Sequence, residues 1–335
     1  MEILITGGAG FIGSNFIRCL VENRPDWRIT NFDLLTYAGN PNNLADITGH
    51  KNYQFIKGDI ADTDRVKALF ENNFDIVVNF AAETHVDRSL YEPALFIKTN
   101  MIGTQTLLAQ ADRTKVGKFV HVSTDEVYGS LDSEGLFDEN SPLLPNSPYA
   151  ASKAGADLIC RAYHKTYGVP VIIVRPCNNY GPYQFPEKLI PFFITRALSD
   201  EYLPLYGEGK NIRQWLHVED NCRAVLKVIE EGEIGEIYNI SGGFEITNLE
   251  ITRKILNLLG KPDSLIRFVT DRPAHDFRYA LDSAKIKRRL NWLPEIEFEE
   301  GLKRTIEWYR QYPKWLKDII SGDYRRFVEK HYRER

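Results

Sequence analysis

The chain has little cysteine: four residues in 335, with Cys19, Cys160, Cys177 and Cys222 far apart and no Cys-x-x-Cys pair. That spacing excludes a disulfide framework and a cysteine zinc site, no metal is expected, and the thiols read as the reduced cysteines of a cytoplasmic protein. Long apolar runs are also missing, since none approaches the roughly 18 residues that suggest a membrane span. The first eight residues, Met1-Glu2-Ile3-Leu4-Ile5-Thr6-Gly7-Gly8, have no basic leader and end their apolar stretch in glycine. They are expected to open the fold as a strand, with no export signal. No sign of charge dominates: 42 Lys and Arg stand against 46 Asp and Glu, for a formal net charge of −4. A phosphate-backbone grip on nucleic acid is therefore not expected, although a local basic pocket for one anionic metabolite is allowed. Internal repeats and low-complexity linkers are absent as well. What remains is an ordinary globular composition, 43% hydrophobic and 26% charged, long enough for one elaborated domain or two intimate ones.

Two periodicities alternate in the first half. Short β-branched runs at 3–6, 28–34, 53–57, 76–80, 119–123 and 171–175 predict strands, and the stretches 11–22, 62–72 and 92–111 have helical spacing. Continuous apolar strands separated by helices indicate a parallel sheet covered on both faces, the doubly wound α/β class of Rossmann type. After Tyr180 the rhythm breaks at Pro182, Pro186, Pro191 and Pro204. A helix over 218–231 and a strand over 236–240 then read as a return to the sheet. The expected division is a dinucleotide-binding domain of residues 1–181 plus 212–242, with a smaller substrate domain of 182–211 plus 243–335. The basic, aromatic-rich end, 324–335, reads as an amphipathic helix docking on the body.

Gly7, Gly10 and Gly13 lie between the first strand and the first helix. Glycine suits such a turn because it is tight, because a pyrophosphate must approach the backbone, and because strand and helix pack closely. The helix N-terminus then offers free N–H groups to phosphate. Asp33 ends the second strand, twenty positions after Gly13, where a carboxylate accepts hydrogen bonds from both ribose hydroxyls of NAD and repels the 2′-phosphate of NADP. Asp59, ending the third strand, suits the adenine edge. Small residues at Ala81 and Ala82 let the backbone lie against the cofactor. The expected cofactor is NAD.

Tyr149 and Lys153 are four apart in Tyr149-Ala150-Ala151-Ser152-Lys153 and share one helix face. A phenol ionises near pH 10, and a neighbouring ammonium favours its phenolate. Such a pair taken alone reads as a surface pair, but here it follows a glycine-turn sheet and points to hydride chemistry at a carbinol. Directly after the fifth strand come Thr124-Asp125-Glu126. Strand carboxyl ends face the ligand crevice in this class, and two adjacent carboxyls there serve proton transfer better than they serve binding of an anion. The structural alternative is Asp125 as a helix cap with Glu126 in solvent.

The glycine spacing resembles that of the extended short-chain dehydrogenase/reductase superfamily. Within it, the chain resembles the dTDP-glucose 4,6-dehydratases through Thr124-Asp125-Glu126-Val127-Tyr128-Gly129 with Tyr149 and Lys153, and through His85-Val86-Asp87-Arg88-Ser89. Further matches are Asn178-Asn179-Tyr180-Gly181-Pro182-Tyr183, Phe185-Pro186-Glu187-Lys188-Leu189, Arg213-Gln214-Trp215-Leu216, Asp271-Arg272-Pro273-Ala274-His275-Asp276 and Ser321-Gly322-Asp323-Tyr324-Arg325-Arg326. Thr84 stands where that family often has serine, and Cys177 where it has Ser or Thr.

The resemblance implies a lyase that removes water from a nucleotide sugar, dTDP-glucose, in deoxysugar formation such as the dTDP-rhamnose route. NAD would stay bound and be recycled within each turnover. Tyr149 and Thr124 would act at the 4-hydroxyl, Glu126 as base at carbon 5 and Asp125 as acid at the 6-hydroxyl. Further cofactor contacts are implied at Phe11, Ile12, Leu34, Thr36, Ile60, Glu83, Thr99, Ser123 and Asn179. Arg213 and Arg272 suit a diphosphate, since a guanidinium binds phosphate oxygens in pairs. Thr84, Asn178, Lys188, Leu189, Pro204, Tyr206, Asn248 and His275 are implied as further substrate contacts. Trp215 and His217 are expected to pack, and His85 to be a structural hydrogen-bonder. A 4-epimerase, another sugar-nucleotide dehydratase and a silent dinucleotide-binding scaffold are the alternatives, and an epimerase has no need of Asp125 and Glu126. Family pairing through two helices per subunit, here 92–111 and 149–167, implies a homodimer.

Overall fold

Successive side chains of the apolar runs enter two different cores, as the two-residue repeat of a strand requires. Ile3, Ile5, Val78, Val120, Ile172 and Val174 lie in one core, and Leu4, Val77, Phe119, Val171 and Ile173 lie in the other. The computed structural model describes residues 1–273 and 275–319. In chain order the first half holds β1 (Glu2–Thr6), α1 (Phe11–Asn23), β2 (Arg28–Asp33), β3 (Tyr53–Lys57), α2 (Thr63–Leu69), β4 (Ile76–Asn79), α3 (Val86–Tyr91), α4 (Pro93–Phe96), α5 (Thr104–Thr114), β5 (Lys118–Val122), α6 (Pro148–Tyr167), β6 (Val171–Pro176) and β7 (Asn178–Tyr180). The second half holds α7 (Leu189–Leu198), β8 (Leu203–Tyr206), β9 (Ile212–His217), α8 (Val218–Glu231), β10 (Ile237–Ile240), β11 (Glu245–Thr247), α9 (Asn248–Leu259), β12 (Ile266–Val269), α10 (Ala284–Leu290), α11 (Phe298–Gln311) and α12 (Pro313–Ile319).

Seven parallel strands in the order β3-β2-β1-β4-β5-β6-β10 form the main sheet. The winding reverses between β1 and β4, so the crevice for a ligand opens above the carboxyl ends of those strands. A three-stranded sheet β11-β9-β7 and the pair β12-β8 stand beyond it, around a third core that includes Ile190, Phe193, Leu203, Ile255 and Leu302. The expected strand over 236–240 takes its place at the sheet edge as β10. The chain crosses between the two halves more often than the sequence suggests. Residues 212–217 form β9 in the three-stranded sheet, while Leu281, Ile286, Leu290 and Trp292 pack into the core of the main sheet.

The single helix expected over 92–111 is broken. Pro93 supplies no N–H, Glu92 leaves helical geometry at φ −129 and ψ 53, and residues Ile97–Gly103 form a π-helical turn before α5. The wide turn carries buried Asn100, whose side chain accepts from Glu83 N at 2.9 Å and donates to Glu83 O at 3.0 Å and to Ser152 Oγ at 2.8 Å. A π turn of this kind often marks a functional site, and here it pins the segment after β4 to α6. Among the described residues no helix is long and apolar enough to cross a membrane. Ala274, the basic stretch 324–335 and the motif from Ser321 to Arg326 lie outside the described residues.

Candidate active site

Gly7 follows β1 with φ +71, and a Cβ there would stand 2.5 Å from Ala81 N. A Cβ on Gly13 would stand 2.3 Å from Gly7 O. Only glycine lets turn, helix and the β4 segment come together this closely. Gly10 caps α1 without a side-chain hydrogen bond, so the helix end can face a phosphate. Asp33 lies beside this turn. Its Oδ2 accepts from Ala9 N at 2.9 Å and its Oδ1 from Leu35 N at 2.8 Å. Burial raises its carboxyl above the ordinary value while those two donors pull it back. Asp59 accepts from Ala61 N at 2.9 Å and from Lys98 Nζ at 3.1 Å. Farther along the crevice, Ser123 Oγ and Asn179 Oδ1 are buried with no hydrogen-bond partner in the protein. Buried polar atoms are costly unless satisfied, and these two fit a polar cofactor lying against the strand ends.

At the end of β5 the chain enters a 3₁₀ turn, Asp125–Tyr128, closed by Gly129 at φ +87. Thr124 is the cap here, its Oγ1 accepting from Glu126 N at 3.3 Å and donating to Asp125 Oδ1 at 3.0 Å. The capping alternative for Asp125 thus gives way to Thr124, and Glu126 is drawn out of solvent into the cleft. Burial, reinforced by Glu126, pushes the Asp125 carboxyl up to about 7. Burial also raises Glu126, but Arg272, Lys188 and Arg213 oppose the shift. Both carboxyls are raised, and the cations beside Glu126 favour its ionised form, so a neutral acid and a charged base can stand side by side here.

Ser147 caps α6 and brings Tyr149 and Lys153 to the same spot. The Tyr149 hydroxyl hydrogen-bonds Thr124, while burial and the Glu126 and Asp125 carboxylates hold the phenol well above its ordinary value. Lys153 donates to Val122 O at 2.7 Å, and burial pulls its ammonium down to about 8.

On the far side Lys188 donates to Thr84 O at 2.7 Å. Arg213 is nearly buried, donates to the carbonyls of Phe277 and Asp276 at 3.1 and 2.8 Å, and lies 4.2 Å over the Tyr279 ring. Arg272 stands 3.8 Å from Asp87. His275, held by Asp271 at 2.6 Å, is lowered to about 4 by burial and by Arg272 and Arg213. One continuous cavity of about 430 Å³ collects every residue expected from the sequence as a catalytic, cofactor or substrate contact.

Some lining residues were not expected. Trp215 packs in the third core as expected and also borders the cleft, where its Nε1 has no partner in the protein. Asp87, Glu187 and Tyr279 also line it. Glu187 accepts from Tyr37 Oη at 2.8 Å and lies 3.6 Å from His85 Nε2, with burial pushing its carboxyl up to about 7. His85 caps α3 by accepting from Arg88 N at 3.1 Å, a structural bond as expected.

A family model described as GDP-mannose 4,6 dehydratase matches residues 4–305. The chain belongs to this family. Among its relatives, a dTDP-glucose 4,6-dehydratase of Streptomyces niveus is 50% identical over 327 residues, covering 96% of this chain and 97% of the relative. A dTDP-glucose 4,6-dehydratase of Streptomyces venezuelae, solved with NAD bound, superposes with a TM-score of 0.93 at 51% identity, over 95% of this chain and 100% of that one. A UDP-glucose 4-epimerase of Thermotoga maritima, solved with UDP-glucose, reaches a TM-score of 0.86 at 31% identity, over 93% and 99% of the two chains. Family membership accounts for the Rossmann-type sheet and the cleft.

Proposed function

We propose that this protein is a dTDP-glucose 4,6-dehydratase, a hydro-lyase that converts dTDP-glucose to dTDP-4-keto-6-deoxyglucose and water. The observation that carries the reading is two neighbouring carboxyls, Asp125 and Glu126, in one cleft at the end of β5, with Thr124 Oγ1 bonded to Asp125 Oδ1 and Glu126 N and Tyr149 hydrogen-bonded to the same threonine. NAD, when bound, supplies a reversible two-electron acceptor. The glycine turn would hold its pyrophosphate, Asp33 its adenosine ribose, Asp59 its adenine edge and Lys153 the ribose beside the reacting ring.

Tyr149, with Lys153 one turn away on α6, takes the proton of the sugar's 4-hydroxyl as carbon 4 is oxidised, and Thr124 hydrogen-bonds the same oxygen. The 4-ketone acidifies carbon 5. Glu126 removes that proton while Asp125 gives its own to the 6-hydroxyl, which leaves as water. After carbon 6 is reduced, Glu126 returns its proton to carbon 5, and the proton gained by Tyr149 balances the one Asp125 lost. Arg213 and Arg272 hold the diphosphate, and Lys188, Tyr206, Asn248 and His275 line the nucleotide end. The sheet half of the chain carries the cofactor, and 182–211 with 243–335 supply most of the nucleotide-sugar contacts.

Three further parts of the reading belong to the cell and the assembly. The enzyme works in the cytoplasm, and its product feeds deoxysugar synthesis, dTDP-rhamnose included. It works as a homodimer: Leu95, Ile97 and Ile102 near α4, with Leu158 on α6, leave apolar side chains exposed on adjacent elements, a surface suited to a second copy. Rapid mixing of holoenzyme with dTDP-glucose tests the chemistry. Transient nicotinamide reduction followed by a 4-keto-6-deoxy product is expected, and a 4-epimer as sole product would overturn the reading.

A further inference from the structure

On the face of the main sheet covered by α2, α5 and α6, the last side chains of five strands are polar. Thr6, Asn79 and His121 stand in register on β1, β4 and β5. Arg175 and Asn239 pair on β6 and β10. All five are buried. Thr6 Oγ1 donates to Asn79 Oδ1 at 2.6 Å, and Asn79 Nδ2 stands 3.3 Å from His121 Nδ1. Arg175 donates to Tyr128 Oη at 2.8 Å, and that hydroxyl donates to Asn239 Oδ1 at 2.8 Å.

One carboxylate from α6 stands between the two halves of this seam. Arg175 Nε lies 2.8 Å from Asp157 Oδ2, while His121 Nε2 stands 3.7 Å from Asp157 Oδ1, beyond hydrogen-bond reach, and those two atoms are buried without a partner in the protein. Asp157 sits one turn beyond Lys153 on the same helix face, and Lys153 in turn donates to Val122 O, the residue after His121. A buried ion pair and a row of polar groups are costly in a sheet core. An arginine and a carboxylate that served only each other could be replaced by apolar side chains of like volume.

We propose that Asp157 is a positioning residue for the oxidation of carbon 4, its carboxylate anchored by Arg175 so that, one turn along α6 from Lys153, it keeps that ammonium charged for its work beside Tyr149. This rests on the assignment of Tyr149 and Lys153 to that oxidation. The groups that act on Lys153 are Asp157 and Cys160 on its own helix and His121 on β5, with Tyr149 one turn before it on α6. Asp157 is the main influence opposing the burial that draws Lys153 down to about 8. His121, held far below its ordinary value by burial and by Lys153 and Arg175, stays neutral and adds no charge.

Asp157→Asn tests the idea by single-turnover reduction of bound NAD on mixing with dTDP-glucose, followed across pH. Loss of the carboxylate lowers the lysine's proton affinity, so the fall of the rate at high pH should move down by about one unit or more. The rate near pH 8 should drop roughly fivefold or more, with recovery toward acid and little change in substrate binding. Asp157→Glu should restore the high-pH limb. The double variant Asp157→Asn with Arg175→Gln, which leaves no unpaired buried guanidinium, should show the same shifted limb if the single variant does not fold. An unshifted limb, whether the rate is normal or uniformly reduced, overturns the proposal, as does failure of both neutral variants to fold. If the wild type reduces no NAD at any pH, the assigned function fails instead.

Discussion

Replacing Asp125 by asparagine should remove most dehydration and, above neutral pH, stabilise the protein. In an unfolded chain this carboxyl ionises near its ordinary value of 3.8, whereas in the fold burial and Glu126 push it up to about 7. Folding takes up a proton between those values, so the stability contributed by the neutral acid is complete below about pH 4 and is lost as pH rises through about 7. The gap of about three units costs at most about 4 kcal/mol above pH 7, at ~1.4 kcal/mol per unit. Asparagine keeps the shape of the neutral acid and never ionises. The stability difference between variant and wild type should therefore grow by ~2–3 kcal/mol between pH 5 and pH 7 and then level off. Urea unfolding of both proteins, followed by tryptophan fluorescence at several pH values, reads that difference directly. A difference that stays constant from pH 5 to pH 8 would refute the argument that Asp125 is held as a neutral acid.

Other consequences follow from the same geometry. Asp33→Ser should lower the ratio of NAD to NADP affinity by about tenfold or more, ~1.4 kcal/mol, in titration calorimetry, because the carboxylate fixed by Ala9 and Leu35 repels a 2′-phosphate; an unchanged ratio would contradict that placement. Tyr149→Phe should abolish nicotinamide reduction while substrate affinity stays within a few-fold, since only the phenolic oxygen is lost; turnover near the wild-type rate would remove Tyr149 from the chemistry. Leu158→Asp, on the exposed face of α6, should shift sedimentation from dimer to monomer; an unchanged profile would place the interface elsewhere.

How much of this was legible in the sequence varied with how local each cause is. The glycine turn, Asp33 and the Thr124-Asp125-Glu126 strand end could be read because each lies at a fixed distance from an apolar run that also marks the strand. The helix over 92–111 misled because its π turn exists to bring Asn100 onto Glu83, a contact seventeen residues away that no helical periodicity encodes. Gathering every expected contact into one cavity depended on motif resemblance, since Arg272 and Lys188 share no local pattern. The seam through Asn79, His121 and Arg175 is not legible in the sequence because one polar residue inside each apolar run carries no signal by itself. Only the register of neighbouring strands lines them up. Tyr279 reaches the cleft from a segment with no period of its own, and Glu187, although inside a matched motif, carries no sign by itself that it lines the cleft.

The central claim is that the two carboxyls after β5 perform an elimination. The most direct test is to run the reaction in deuterium oxide and examine carbon 5 of the product by NMR. Wild-type protein with dTDP-glucose should give a 4-keto-6-deoxy product with deuterium at carbon 5, because Glu126 exchanges the proton it removes before returning it. Glu126→Gln should still reduce bound NAD on mixing and yet leave carbon 5 unlabelled and almost all sugar undehydrated. A wild-type product epimeric at carbon 4 with no deuterium at carbon 5, or full labelling in Glu126→Gln, would contradict the account.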